Sequence, residues 1–132
     1  MAADPTQTAL DFLAFYYQKF DSDRTSLGAL YRDNSVLTFE GTSTKGVAEI
    51  GEKLASLPFE AIRHDLGQSP KDAIDLQPSP IEGGLIILVN GIIHQGEEGA
   101  KDLSFVQVFH LLRDDQGQYF VFNDIFRLTY PV

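Results

Sequence analysis

Apolar residues at Leu10, Leu13, Ala14, Tyr17 and Phe20 recur at the three- and four-residue spacing of a helix, and the pattern predicts a first helix from Thr6 to Phe20. Phe12, Phe15 and Tyr16 widen its apolar stripe, so most of this helix should be buried. Asp21, Ser22 and Asp23 then offer side-chain acceptors to the free amides of a short second helix carrying Leu27, Leu30 and Tyr31. A β-rich run, Val36-Leu37-Thr38-Phe39, ends at Gly41. Helical spacing returns from Gly46 to Leu57 until Pro58, whose ring and missing N–H stop it. Beyond Pro58 the period shortens, and strands are expected at Phe59 to Leu66, Leu85 to His94, Phe105 to Arg113 and Tyr119 to Tyr130. Asp114-Asp115-Gln116-Gly117 joins the last two as a hairpin, because its glycine tolerates the positive φ such turns require. Gly67 to Pro80, with Pro70, Pro78 and Pro80, reads as a long loop. Helices first and antiparallel strands afterwards make an α+β domain.

The strands break the usual alternation. Leu85, Ile87, Val89 and Ile93 fall on one face, yet Ile86, Leu88 and Ile92 fall on the other, whereas a half-solvated strand should be polar there. The N-terminal helices can cover one face only. The other face is covered either by a second subunit related by a two-fold axis, the preferred reading, or by the curl of a monomeric sheet. The last strand divides in the same way, with Phe120, Phe122, Phe126 and Leu128 expected on one side and Val121 and Ile125 on the other.

Composition narrows the function classes. With 132 residues and no internal repeat or linker, the chain reads as a single domain over 1–132. Met1-Ala2-Ala3-Asp4-Pro5 lacks the basic and apolar regions of a secretory signal, which predicts a chain that is not exported. The longest clean apolar run, Leu85 to Val89, falls far short of the roughly 20 residues of a membrane-spanning helix, so no membrane insertion is expected. Cysteine is absent, which removes disulfides, thiolate metal sites and cysteine nucleophiles. A net charge of -9 argues against nucleic acid, whose phosphates need basic patches, and favours a basic protein partner.

Catalytic and cofactor motifs are scarce. Gly41-Thr-Ser-Thr-Lys-Gly46 has Val47 where a phosphate-cradling loop needs its lysine, and a turn before a helix explains it better. His64, His94 and His110 sit on separate elements without metal-ligand spacing, so neither metal nor cofactor is expected. No GxSxG elbow is present. An acid-base enzyme acting on a small hydrophobic molecule is the alternative, with Tyr16, Tyr17, Tyr31, His110 and Asp124 as its candidate groups. Against it, Asp124 lies in an aromatic strand where its carboxylate can cap backbone amides or pair with Arg127, and structural use is preferred.

Four stretches, Phe15 to Arg24 (FYYQKFDSDR), Leu37 to Gly41 (LTFEG), Leu54 to Phe59 (LASLPF) and, most specific, Val121 to Leu128 (VFNDIFRL), together resemble the nuclear transport factor 2 family. The resemblance extends from about Leu10 to Tyr130 and implies a cystatin-like cone. In it, N-terminal helices pack on a strongly curved antiparallel sheet, and the sheet mediates a homodimer with Ile125 at the interface. It also implies a non-catalytic import carrier for the GDP-bound GTPase Ran that touches phenylalanine-glycine-repeat nucleoporins. Such a carrier is found in cytoplasm and nucleus and concentrates at the nuclear pore or envelope. By the same resemblance, a phenylalanine of Ran enters a pocket of Phe39, Leu57, Phe59, Ile62, Ile93, Leu103 and Phe105, while Glu40, Glu97 and Glu98 hold basic groups beside it. Three positions depart from the family pattern. Gly96 stands where relatives carry the first acidic residue of the Ran-contacting loop, no aromatic precedes Phe12 near Pro5, and Gly67 to Leu76 is longer than in relatives.

Overall fold

The computed structural model describes residues 4–58, 62–96 and 99–129. Helix α1 spans Pro5–Ser22. The Thr6 amide donates to the Asp4 side chain at 3.0 Å, and Pro5 sits in the first turn, where a missing N–H removes no intrahelical bond. The helix buries Ala9, Leu13, Tyr16, Tyr17 and Phe20, and it closes where the Asp23 N–H reaches the Lys19 carbonyl at 2.7 Å. The expected second helix is a 3-10 segment, Arg24–Leu30, tied at its start by the hydroxyls of Thr25 and Ser26 donating to Asp23. Tyr31, expected at its end, instead opens strand β1 (Tyr31–Phe39).

Strand β1 turns into β2 (Thr42–Lys45) through Glu40 and Gly41, whose φ values of 50° and 87° are both positive, the signature of the tight two-residue hairpin. The sequence gives β2 no apolar alternation to read, because its four residues form a polar sheet edge. Helix α2 (Val47–Ser56) buries Ile50 and Leu54. The remaining strands are β3 (Ile62–Asp65), β4 (Ile74–Pro78), β5 (Leu85–Gln95), β6 (Leu103–Arg113) and β7 (Tyr119–Thr129). Phe59, Ala61 and Tyr130, where the flanking strands were expected to extend, lie outside the described residues.

The sheet order is β2-β1-β7-β6-β5-β3, with β4 also on β5. It is a curved, unclosed mixed sheet, and the fully antiparallel expectation needs correcting: β1 runs parallel to β7. Side-chain alternation marks a strand but not its direction, and these two neighbours are the first and last long strands of the chain. The expected loop Gly67 to Pro80 also needs correcting, since it contains a 3-10 turn, Pro70–Ala73, and β4. Pro70 starts the turn and Pro78 ends an edge strand, two places where a missing N–H is tolerated. Strands β3 and β4 share one edge of β5, meeting it at Ile92 to Gln95 and Leu85 to Val89 respectively. Gly91 sits at their junction, where an added Cβ would come within 2.8 Å of the Phe105 ring and 2.9 Å of the Asp65 carbonyl.

Residues Leu85, Ile87, Val89 and Ile93 are buried under the helices, whereas Leu88 and Ile92 on the opposite face are 39% and 41% exposed. A single chain therefore leaves the outer face of the sheet uncovered. The division of β7 differs from expectation because a bulge interrupts its pairing with β6: His110 faces Asn123, but Leu111 faces Val121. Phe122 is the extra residue and packs edge-on against His110. Val121 consequently joins Asp124, Phe126 and Leu128 on the core side, while Phe120 pairs with Leu112 and lies under the Arg32 guanidinium. Ile125 remains opposite Phe126 and is 51% exposed.

Candidate functional site

The expected pocket residues that the structure describes belong to the hydrophobic core or pack against it. Phe39, at the end of β1, stacks on Phe126 with centroids 4.7 Å apart and planes 4° apart, and Phe126 stacks in turn on Phe105 at 5.6 Å. Ile93 and Leu103 face each other across β5 and β6, and Ile62 faces Gln95 from β3. Ile93, Phe105 and Leu57 are buried, a candidate floor, while Phe39, Ile62 and Leu103 are part-exposed, a candidate rim. Phe59, Glu97 and Glu98 lie outside the described residues. Gly96 is exposed at the end of β5.

Glu40 is exposed beside this rim in a left-handed backbone conformation that a glutamate adopts at a cost. Its amide donates to the Phe126 carbonyl at 3.0 Å, and its carboxylate accepts from the Leu128 amide. The turn thus fixes the carboxylate at the edge of the Phe39–Phe126 stack. Lys53 lies 5.8 Å from the centroid of the Phe39 ring, on the helix that flanks the site.

The candidate acid-base groups separate into two places. Tyr16, Tyr31 and Asp124 meet in the core: the two hydroxyls are 2.8 Å apart and lie 3.2 and 2.7 Å from Asp124 Oδ2. Gln107 Nε2 donates to Asp124 Oδ1 at 2.8 Å, while its carbonyl accepts from the Tyr17 hydroxyl at 2.7 Å. Asp124 therefore pairs with neither Arg127, which is exposed on the other face, nor backbone amides, and Gln107 is the partner that sequence reading missed. His110 stands apart on the outer face, where burial of its ring lowers its pKa.

Burial raises the pKa of Asp124 to about 6 against the pull of its three hydrogen-bond donors. Proton counting agrees, since an ionised carboxylate leaves two hydroxyl protons for three short oxygen contacts and a proton on Asp124 supplies the third. Burial and the Asp124 charge push all three tyrosines well above their ordinary value, so they act as neutral donors. The network is completely buried and each of its groups is already bonded, which suits a core support more than a substrate site.

A stability prediction follows from Asp124. Its folded pKa is raised, so its contribution is largest below its unfolded value near 4 and is lost as pH rises through about 6. Between pH 5 and 7.5 the native chain should lose about 1 kcal/mol that an Asp124→Asn chain does not lose. Urea unfolding of both chains at the two pH values measures the difference, and equal pH dependence would refute the assignment.

Comparison with known proteins gives a consistent picture. A family model described as the nuclear transport factor 2 (NTF2) domain matches residues 8–128. The chain is 50% identical to Nuclear transport factor 2 of Neurospora crassa over 98% of both chains. It is 45% identical to Nuclear transport factor 2 of Candida albicans over 98% of this chain and 99% of the other. Among solved structures, nuclear transport factor 2 from Cryptosporidium parvum superposes with a TM-score of 0.81 at 36% identity, covering 93% of each chain.

Proposed function

The chain belongs to the nuclear transport factor 2 family, and from the geometry of its mouth we propose that the cargo is GDP-bound Ran, seated at Phe39 and Glu40. It is a nuclear transport carrier and not an enzyme. The observation that carries the Ran reading is the juxtaposition of an apolar rim with a carboxylate fixed by its own turn. An entering phenylalanine would rest on Phe39, Ile62 and Leu103 and displace water from them. Burying one such side chain contributes about 1.5–3 kcal/mol, so specificity needs the charge beside it. Glu40 supplies that charge, with Glu97 and Glu98 assigned to the same rim by family resemblance. Gly96 adds none.

A homodimer through the outer sheet face belongs to the same proposal. Leu88, Val108 and Ile125 are register neighbours across β5, β6 and β7, which supports a continuous apolar row with Ile92 close by. Phenylalanine-glycine-repeat nucleoporins are the second proposed partner. The chain has no aromatic before Phe12, but Pro5, Leu76, Pro78 and Ile81 line an apolar depression at the start of α1 that suits a phenylalanine ring. Such contacts would place the carrier in cytoplasm and nucleus with enrichment at the pore or envelope.

Immobilised chain should retain Ran loaded with GDP and release Ran loaded with a non-hydrolysable GTP analogue. Equal retention of both forms would overturn the cargo assignment.

A further inference from the structure

Residues Gln68, Ser69, Pro70 and Lys71 form a wall facing helix α1. Between them runs an open cleft of about 660 Å³, within the size range of small-molecule sites. Leu13 and Ala14 line it from the helix, Leu66 and Pro70 line it from the opposite side, and the rings of Tyr17 and His64 also border it. This cleft is a different surface from the mouth, because Phe39, Glu40 and Leu103 take no part in its lining.

His64 gives the cleft a defined polarity. Its side chain is only 2% exposed and is stacked on Tyr17 at 4.4 Å. Both oxygens of Asp21 are committed to it, Oδ1 to its Nδ1 at 2.7 Å and Oδ2 to its backbone N–H at 2.9 Å. A carboxylate at Nδ1 selects the tautomer that carries its proton there, and in that tautomer Nε2 is an acceptor. Among the described residues that nitrogen has no hydrogen-bond partner. Asp11, Gln18, Gln68, Ser69 and Lys71 complete the lining, so a mostly apolar cleft with a polar margin and an oriented acceptor at His64 suits a ligand with an apolar ring and a hydroxyl group.

We propose that this cleft is a second binding site, for a small hydroxylated aromatic molecule whose hydroxyl donates to His64 Nε2. The preference for a donor follows from the fixed tautomer, and the preference for a ring follows from the apolar walls at Leu13, Ala14, Leu66 and Pro70. The proposal is independent of cargo binding at the mouth.

The test is an NMR titration of the full ¹⁵N-labelled chain with 4-ethylphenol, and in parallel with its methyl ether, 4-ethylanisole. Saturable shifts should centre on Ala14, Tyr17, His64 and Leu66, and the ether should bind at least tenfold more weakly. Ala14 is exposed on the helix, so Ala14→Trp fills the cleft without touching the core and should abolish the shifts while circular dichroism stays unchanged. Equal binding of phenol and ether, absence of saturation, or persistence of the shifts in Ala14→Trp would each overturn the site.

Discussion

Replacing Glu40 by lysine is expected to weaken binding of GDP-bound Ran by roughly 30-fold or more, beyond detection for a micromolar complex, while the fold survives. The residue is exposed, its backbone already occupies the demanding conformation of the turn, and no core side chain depends on it. Only its charge and its bond to the Leu128 amide are lost. A lysine would also place a second cation beside Lys53 and against the basic groups of the cargo. Calorimetry reports the affinity and circular dichroism the fold. Glu40→Asn makes the test sharper. Asparagine tolerates positive φ better than glutamate, so this chain should melt at the same or a higher temperature while binding still falls. Retained affinity in both variants would remove Glu40 from the site.

Ile125→Glu should convert the proposed dimer into monomers. The side chain is 51% exposed in a single subunit and sits at one end of the row formed with Leu88 and Val108. In a two-fold assembly the substitution introduces two carboxylates into an apolar contact, and an unpaired buried charge costs about 3–5 kcal/mol. The same glutamate costs the isolated subunit little, because the position faces solvent there. Sedimentation should therefore show a folded species of half the mass. A persistent dimer would place the interface on another face.

Much of this architecture could be read from side-chain periodicity. Helix α1 announces itself through Leu13, Tyr17 and Phe20, and the two-sided strand at Leu85 to Ile93 signals a sheet whose second face needs a cover. What escaped were features that periodicity does not carry. Strand β2 is polar throughout, β1 and β7 run parallel without any local mark of it, and the bulge at Phe122 shifts side chains by one place so that Val121 enters the core. At the site, Phe39-Glu40 was recognisable as a pair only through family resemblance, since an exposed glutamate before a glycine is otherwise an ordinary turn. The Asp124 network was half legible. Tyr16, Tyr31 and Asp124 were all singled out, yet their meeting depends on contacts spanning 15 to 108 residues, and Gln107 gave no signal at all. Asp21 and His64 are joined across 43 residues and were equally silent.

The divided edge of β5 gives the molecule two separately paired margins instead of one. Strand β3 is held by the pairs from Ile62 to Asp65, and β4 by a separate set from Ile74 to Pro78, with Gly91 between them. Because the two ladders share no hydrogen bond, the amides of β4 can exchange with solvent through a sub-global opening that leaves β3 docked. Opening of the turn at Pro70–Ala73 would then leave the β3 pairs at Ile62 in place.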